Sequence, residues 1–516
     1  MDSKDVFCTR EDALKRLEAW LSSNEQALKL AFGPRAQQLE EPFSTAFEPA
    51  TGLPLVRYRD TSMEELDVIV TEANRAQQRW MEFSPSDRAN ILHKVAELVR
   101  EEASWLAEME TLDTGKPLWE TQADVAACAD SIDLFADLIP SISRTDAPEP
   151  PNPESYHYTR REPYGVCAGI GTWNSPFQTA VWKSAPALGA GNAMVFKPSP
   201  LTPVTVVRLS ELYTKGGCPE HLFSVVLGGT GVGRALVSHS KITKVSFTGN
   251  AEGGRLILGA TAKKLIPGTI ELGGKSALII MPDGDIDEAV KGALVGGFHT
   301  QTMASSNAAR VYVHRSISPV FQKKLLDAVH RIEVGDPFSP HSSMGAVISA
   351  EHLRKMKSFI HSSILEGANL LCGGDVPSFP AESLLHGGNF IRPSILTNCH
   401  DEMTAVKEEI SGPLLTLLRF ETEEEVIRRL NLLFDGLGLT GSVFSKNLAT
   451  ATRIASKLKC SSVYVNSFNT YPPGIPFGGY EKSSRGRENA IDTLIAYTQT
   501  KTVYLRAGQL SYPFLT

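Results

Sequence analysis

One acidic residue stands between apolar residues and a pair of glycines in the segment TIELGGKS, residues 269–276. A carboxylate that folding removes from water has a raised pKa, so Glu271 could accept a proton from a water molecule as a general base. Most glutamates remain solvated at the surface. The apolar flanks of Glu271 instead favour a partly buried position and a chemical role.

Two further polar residues stand at the ends of predicted strands. Asn174 follows the strand predicted at residues 166–170, and Lys197 follows the one at 193–196. Ligands of open α/β sheets bind at the carboxyl ends of the strands, so we expect both residues to face one crevice. The Asn174 amide could donate to a developing oxyanion, and Lys197 could bind a ribose hydroxyl or a phosphate. The alternatives are a turn residue and a solvated surface lysine.

Glycines cluster after two more predicted strands. The run GGTGVG begins at Gly228, but its spacing is not the GxGxxG of dinucleotide-binding turns, and a strand-to-helix turn explains it without a ligand. Phe247 and Gly249 end another strand, and Gly253 and Gly254 open a helix whose N-terminus could face a pyrophosphate. A tight turn is the alternative here too.

The elements that must position these residues alternate in type from about Phe43 onward, which is typical of βαβ units on a parallel sheet. A first series has predicted strands at 166–170, 193–196, 223–227 and 244–247, and a helix at 202–213. A second series has strands at 277–280, 309–313, 368–371, 414–420, 441–444 and 462–465, and helices at 286–294 and 319–329. The sequence therefore predicts a doubly wound α/β domain followed by a second α/β domain.

Length and composition limit the class of protein. A chain of 516 residues with 42% hydrophobic content is long enough for two or three folding units. Its net charge of -7 gives no electrostatic signature of nucleic-acid or membrane-surface binding, and no apolar run is long enough to span a membrane. We therefore expect small molecules or copies of the chain itself as partners.

The cysteines and the N-terminal residues indicate the compartment. The seven cysteines include no CxxC pair, which argues against a zinc site and a disulfide framework and favours a reducing environment. The first forty residues are acidic and lack the apolar core of a signal peptide, so a cytoplasmic protein is expected. Leu14, Leu17 and Leu21 recur at helical spacing and predict a short amphipathic helix, which packs on the body or binds a partner.

Six motifs occur in the order seen in aldehyde dehydrogenases, and together they make the chain similar to that family from about Phe43 to Leu505. They are WNSPF (173–177), FKPS (196–199), FTG (247–249), IELGGKS (270–276), KEEI (407–410) and PFGGY (476–480). Three segments resemble the betaine-aldehyde and 4-trimethylaminobutyraldehyde branch in particular. They are YTRREP (158–163), WKSAPAL (182–188) and GNAMVFKPSP (191–200).

The resemblance implies NAD-dependent oxidation of an aldehyde to a carboxylic acid, in a homodimer or homotetramer. It implies an N-terminal extension at 1–42, an NAD-binding domain at 43–142 and 162–270, and a catalytic domain at 271–480. Segments 143–161 and 481–516 would bridge or oligomerise through a small sheet. Asn174 would lie in the oxyanion hole, Glu271 would activate water, and the cofactor site would include Trp173, Lys197, Gly228, Phe247, Gly249, Asn250, Leu272 and Glu409.

The chain departs from the family pattern at the nucleophile. Ser305 stands at the position of the cysteine whose thiolate adds to the aldehyde. A serine hydroxyl ionises roughly five pKa units above a thiol, a deficit on the order of 7 kcal/mol. No Ser-His arrangement is evident, and His299 is interpreted as an ordinary strand or loop histidine.

Three neighbouring positions also differ from the pattern. Ser411 replaces a phenylalanine near the nicotinamide ribose, Asn250 replaces a serine that helps to hold the pyrophosphate, and Thr302 replaces a glycine. The first hypothesis is therefore an aldehyde dehydrogenase-like protein that is catalytically impaired or inactive and binds NAD weakly. The alternative is a working enzyme, either a slow dehydrogenase or an esterase that uses Ser305.

Overall fold

A hairpin and a group of helices precede the main sheets. The computed structural model describes residues 8–23, 43–142, 155–506 and 514. The elements of this first part are α1 (Arg10–Ser23), β1 (Phe43–Phe47), β2 (Pro54–Arg59), α2 (Met63–Trp80), α3 (Pro85–Glu101), α4 (Ala103–Thr114) and α5 (Leu118–Ile142). Strands β1 and β2 pair antiparallel. Ser62 and Ser84 start α2 and α3 with capping boxes, which satisfy backbone N–H groups that have no partner inside the helix.

The amphipathic helix predicted near the N-terminus is α1, and it packs on the body of the protein. Leu17 and Leu21 are buried in the same core as the helices that follow. Arg10 is also buried, and its guanidinium forms ion pairs of 2.6 Å with Glu48 and 2.9 Å with Asp336. Apolar contacts and charge-assisted hydrogen bonds therefore hold this helix in place together.

A parallel sheet follows and contains the first predicted series of strands. Its part of the chain comprises β3 (Ser155–Pro163), β4 (Val166–Ile170), α6 (Pro176–Gly189), β5 (Ala193–Lys197), α7 (Val204–Gly216), β6 (Phe223–Val225), α8 (Thr230–Ser238), β7 (Ile242–Gly249), α9 (Ala251–Lys264) and β8 (Gly268–Leu272). The parallel strands have the order β8-β7-β4-β5-β6. The order reverses between β4 and β7, and ligands of doubly wound sheets bind beside such a switch point.

A second sheet contains the later series. Its part of the chain comprises β9 (Ala277–Ile280), α10 (Ile286–Phe298), β10 (Arg310–His314), α11 (Ser318–Val329), α12 (Ala350–Leu365), β11 (Asn369–Cys372), β12 (Ser394–Thr397), α13 (Thr404–Lys407), β13 (Leu414–Phe420), α14 (Glu423–Phe434), β14 (Thr440–Phe444), α15 (Leu448–Lys457) and β15 (Ser462–Val465). The strand order is β11-β12-β13-β10-β9-β14-β15, and β11 alone among these strands runs antiparallel to its neighbour.

The C-terminal elements return to earlier parts of the chain. They are β16 (Ser484–Arg485), α16 (Ile491–Ala496) and β17 (Thr498–Arg506). Strand β16 pairs antiparallel with β8, and β17 pairs antiparallel with β3 in a separate two-stranded sheet. Both strands of that sheet overlap the segments 143–161 and 481–516 from which the resemblance implied a small sheet, and residues 143–154, 507–513 and 515–516 of those segments lie outside the described residues.

The predicted fold class is therefore confirmed, with differences at several element ends. The strand predicted at 223–227 stops at Val225, and beyond it the Leu227 N–H donates to the Thr61 hydroxyl at 3.0 Å. The helix predicted at 202–213 begins later, at Val204, whose N–H donates to Asp113 at 3.0 Å. No helix among the described residues is both long and apolar enough to cross a membrane.

Candidate active site

A cavity of about 700 Å³ lies beside the switch point of the first sheet and reaches the segment after α10. It brings together eight of the site residues predicted from the sequence: Trp173, Asn174, Gly249, Asn250, Glu271, Leu272, Ser305 and Glu409. Lys197, Gly228 and Phe247 lie outside its lining. Asn174 and Ser305 are some 130 positions apart in the sequence, and both line this cavity.

Glu271 is more deeply buried than its sequence suggested, with 3% of its surface exposed. The Ser484 hydroxyl donates to its Oε1 at 2.7 Å, because β16 places Ser484 directly opposite Glu271 on β8. Its Oε2 is buried and has no partner in the described part of the chain. Burial raises the pKa of Glu271 well above its usual value, and the nearby Glu488 carboxylate adds to this effect. The free oxygen can therefore take a proton from a water molecule.

An ion pair lies next to Glu271. Lys183 of α6 binds Glu488, and both side chains are almost fully buried. Glu488 lines the cavity, and its backbone N–H and C=O are both bonded to Phe477. Sequence analysis missed both charges, because the two partners are 305 residues apart.

Asn174 lies in the loop between β4 and α6, where Pro176 begins the helix. Its side chain lines the cavity and makes no hydrogen bond within the described residues. A free amide N–H₂ at this position can donate to the oxygen of a ligand carbonyl. The role in the oxyanion hole that the sequence resemblance implied stays a prediction.

The segment before Ser305 has an unusual backbone. Thr300, Gln301 and Thr302 have φ angles of 53°, 50° and 58°, in the left-handed region. Residues with a Cβ adopt this region at a cost, of order 1 kcal/mol or more each. Thr302 stands where the sequence resemblance expects glycine, which has no such cost. Thr302 therefore brings strain and bulk beside Ser305 that a glycine would not bring.

Hydrogen bonds from distant parts of the chain hold this segment in place. Gln301 Nε2 donates to the carbonyls of Gly115 and Ala346, at 2.9 Å each. The Thr300 N–H donates to Glu120 Oε1 at 3.1 Å, and the Thr302 hydroxyl donates to the carbonyl five residues earlier. Strain of this kind persists only where the surroundings determine the backbone, as they do here.

Glu120, which sequence analysis did not single out, is buried beneath the segment. Burial raises its pKa to about 8, partly offset by the Thr300 N–H and by the Lys116 ammonium, while Asp124 raises it slightly. The His299 ring lies 3.8 Å from Glu120 Oε1, and burial lowers the pKa of His299. Both buried side chains therefore favour the uncharged form near neutral pH.

This burial makes a prediction for stability against pH. The pKa of Glu120 is about 8 in the folded protein, whereas an unfolded glutamate has a pKa of about 4.3. The contribution of Glu120 to stability is therefore fully present below about pH 4.3 and is lost as pH rises through about 8. The Glu120→Gln variant keeps an oxygen for Thr300 but does not titrate. As pH rises from about 4 to about 9, the free energy of unfolding of the wild type should therefore fall relative to that of Glu120→Gln by roughly 3–5 kcal/mol.

Urea denaturation at several pH values measures this difference. Glu82→Gln, at an exposed carboxylate, is the matched control and should follow the wild type throughout. A constant difference between Glu120→Gln and the wild type across the range would contradict the assignment.

The predicted pyrophosphate region is the start of α9. The Asn250 side chain caps this helix by accepting the Gly253 N–H at 2.8 Å, as a serine would. A Cβ at Gly249 or Gly253 would lie 2.5 or 2.7 Å from Phe247 Cζ, so these glycines make room for the Phe247 ring. Phe247 thus packs beneath the turn, outside the cavity.

Two threonine hydroxyls fit a ligand in this part of the cavity. Thr172 and Thr248 line it, and each has a buried Oγ1 without a partner among the described residues. Buried hydroxyls normally find a hydrogen-bond partner, in protein, water or ligand. Glu409 lies on the opposite wall, so close to Gly273 that a Cβ there would be 1.9 Å from its Oε2.

Lys197 is a buried lysine, so the solvated interpretation is wrong. Only 5% of its surface is exposed, and burial lowers its pKa to about 8. Its ammonium donates to the Pro198 carbonyl at 3.1 Å. Gly228, with φ of 139°, makes the strand-to-helix turn before α8 that the sequence indicated.

One histidine of the cavity was not predicted from the sequence. His352 lines the cavity, donates from Nε2 to the Ser411 carbonyl, and has its ring 5.4 Å from that of Trp173. Burial lowers the pKa of His352. The histidine therefore holds the backbone at Ser411, one of the positions that depart from the family pattern.

An aromatic cluster forms another wall. The rings of Trp182, Tyr471 and Phe477 lie 5.4–6.0 Å apart, and all three residues line the cavity. Aromatic faces attract cations, so this wall suits an organic cation as well as an apolar group. Trp182 and Phe477 belong to motifs quoted above, but their contact was not predictable from the sequence, because they are almost 300 residues apart.

Comparison with known proteins identifies the family of this chain. Residues 36–503 match the profile of the family described as the aldehyde dehydrogenase family. The chain is 43% identical to the 4-trimethylaminobutyraldehyde dehydrogenase of Rattus norvegicus and 42% identical to that of Homo sapiens, over 91% of this chain and 94% of each relative.

A solved structure is similar over almost the whole chain. Betaine aldehyde dehydrogenase from Staphylococcus aureus, in complex with NAD+, superposes with a TM-score of 0.90 at 32% identity, covering 98% of this chain and 99% of that one. The family match, the sequence identities and this superposition lead to one conclusion. The chain belongs to the aldehyde dehydrogenase family.

Proposed function

We propose that this chain binds NAD and an aldehyde-like ligand but oxidises aldehydes slowly or not at all. The observation that carries the proposal is Ser305, at the position where the family pattern has the nucleophilic cysteine. Ser305 lines the same cavity as Glu271 and Asn174, and none of the described residues that line the cavity is a cysteine. No nearby thiol can therefore replace the missing one.

The remaining residues support binding more than turnover. Asn174 would hold the ligand carbonyl oxygen, and Glu271 would hold a water molecule through its free Oε2. NAD, when bound, supplies a hydride acceptor. The Ser305 hydroxyl needs a base to become a nucleophile, and within the described residues it makes no hydrogen bond to either oxygen of Glu271.

The residues present fit NAD. Thr172 and Thr248 offer unpaired hydroxyls, α9 presents its N-terminus, and Glu409 and Lys197 would hold the riboses. The similar S. aureus structure contains NAD+. We expect weakened affinity, because Ser411 and Asn250 depart from the family pattern. A calorimetric titration that gave micromolar affinity would contradict this part of the proposal.

The ligand class follows from the aromatic wall. Trp182, Tyr471 and Phe477 would surround a trimethylammonium group through cation–π contacts. The relatives named as 4-trimethylaminobutyraldehyde and betaine aldehyde dehydrogenases support a ligand that combines this group with an aldehyde or a carboxylate.

The domain limits, the cytoplasmic location and the oligomer remain predictions from the sequence. Exposed apolar side chains on the β3–β17 sheet, at Tyr156, Tyr504 and Leu505, support assembly into a homodimer or homotetramer. The predicted domain limit at residue 271 falls inside β8, so we propose to move it to the end of that strand.

The direct test is NADH formation by the purified protein with a panel of aldehydes that includes 4-trimethylaminobutyraldehyde. We expect no absorbance change at concentrations where an active relative turns over. Clear turnover would refute the proposal and favour the slow dehydrogenase. Hydrolysis of an activated ester that disappears in Ser305→Ala would instead favour the esterase.

A further inference from the structure

Asp60 lies at the turn before α8, although it belongs to the N-terminal hairpin. Its Oδ1 accepts a hydrogen bond of 2.9 Å from the Ser44 hydroxyl, and its Oδ2 accepts one of 3.2 Å from the Gly229 N–H. A Cβ at Gly228 would lie 3.0 Å from this carboxylate. Contacts with both β1 and the turn therefore fix the position of the Asp60 charge.

Lys197 borders the same turn. A Cβ at Gly233 of α8 would lie 3.4 Å from Lys197 Cδ, so the lysine stem runs along the first turns of that helix. Asp60 is close enough to interact electrostatically with the Lys197 ammonium. A Cβ at Gly229 or Gly231 would meet no atom within 4 Å, so the outer side of the turn is open.

We propose that Asp60 makes this site select NAD over NADP, an inference that rests on the proposed binding of NAD through Lys197. A ribose 2′-hydroxyl beside Lys197 can donate a hydrogen bond to a carboxylate, as in dinucleotide-binding domains that use an acidic residue. A 2′-phosphate carries close to two negative charges and would be repelled.

The Asp60 carboxylate also occupies a hydrogen-bond donor that a 2′-phosphate could otherwise use. The Gly229 N–H is already bonded to Asp60, so a 2′-phosphate at this turn finds a negative charge in place of a free amide. Lys197 is a basic side chain beside this turn, and Asp60 offsets its charge. Selection thus comes from repulsion of the wrong cofactor as well as attraction of the right one.

Calorimetric titrations with NAD and with NADP test the inference on the wild type, Asp60→Asn and Asp67→Asn. Asparagine keeps an oxygen for the Gly229 N–H and removes the charge, so the affinity for NADP relative to NAD should rise by at least about tenfold. Asp67 pairs with His239 on the surface and serves as the control, whose affinity ratio should match the wild type.

A second measurement needs no variant. Raising the ionic strength screens charge repulsion, so the wild-type preference for NAD should shrink with added salt. Failure of the wild type to bind either dinucleotide would overturn the proposed NAD binding and this inference with it. Binding of NAD with an unchanged ratio in Asp60→Asn, or a salt-independent preference, would overturn the inference alone.

Discussion

Replacing Ser305 with cysteine is expected to raise NADH formation from an aldehyde by at least about a thousandfold over the wild type. A cysteine thiol is a few per cent ionised at neutral pH, which removes part of the deficit, on the order of 7 kcal/mol, of a serine hydroxyl as the nucleophile. Glu271 and Asn174 already share the cavity with this position. The steady-state increase in NADH absorbance measures the gain, with NADH identified in the product.

The matched control is Ser306→Cys, one residue further along the same turn. Its hydroxyl donates to Asn469 Oδ1 at 2.8 Å, so a thiol there is tied to the protein and should give no activity. Adding Thr302→Gly to Ser305→Cys should raise the rate further, because glycine removes the left-handed strain at Thr302. An inactive Ser305→Cys protein that still binds NAD would show that the site has lost more than its thiol.

Replacing Lys183 with methionine is expected to lower the free energy of unfolding by about 3–5 kcal/mol. The change leaves the Glu488 carboxylate buried without its partner and close to Glu271. Breaking one side of a buried pair is costly, because the remaining charge keeps its desolvation penalty. Chemical denaturation near neutral pH measures the loss.

The double variant Lys183→Met with Glu488→Gln separates the charge from the packing. It should recover most of the stability lost in Lys183→Met, because no unpaired charge remains. Lys291→Met removes an exposed partner of Glu288 and should leave the stability close to that of the wild type, because solvent screens this pair. A Lys183→Met protein as stable as the wild type would show that the pair contributes nothing.

The alternation of short apolar strands and helices was sufficient to predict both α/β domains. The strands at 166–170, 277–280, 414–420 and 462–465 even have the predicted limits. The predicted strand end at Leu227 was wrong, and there the backbone N–H bonds to the side chain of Thr61, which is distant in the sequence. Such contacts depend on the packed fold, and a local pattern does not contain them.

The site residues also divide into those that a local pattern predicts and those that depend on distant contacts. Residues at strand ends, such as Asn174 and Gly249, were predictable because parallel strands deliver their carboxyl ends to one edge. Glu120, His352 and the Lys183–Glu488 pair were not, since each acts on the site through a partner far away in the sequence. From the sequence, Lys197 could equally have been a solvated surface lysine. Its burial depends on the packing of α8 and the hairpin.

The pairing of β16 with β8 has a consequence for the order in which the protein is made. Ser484 and Glu488 come from the last tenth of the chain, yet they complete the surroundings of Glu271 in the first sheet. A ribosome releases the β8 edge long before its partner strand, so this edge stays unpaired while the roughly 200 residues between them are synthesised. Glu271 acquires its final environment only as synthesis ends, and a chain that stops short of residue 484 leaves its carboxylate without the Ser484 hydroxyl.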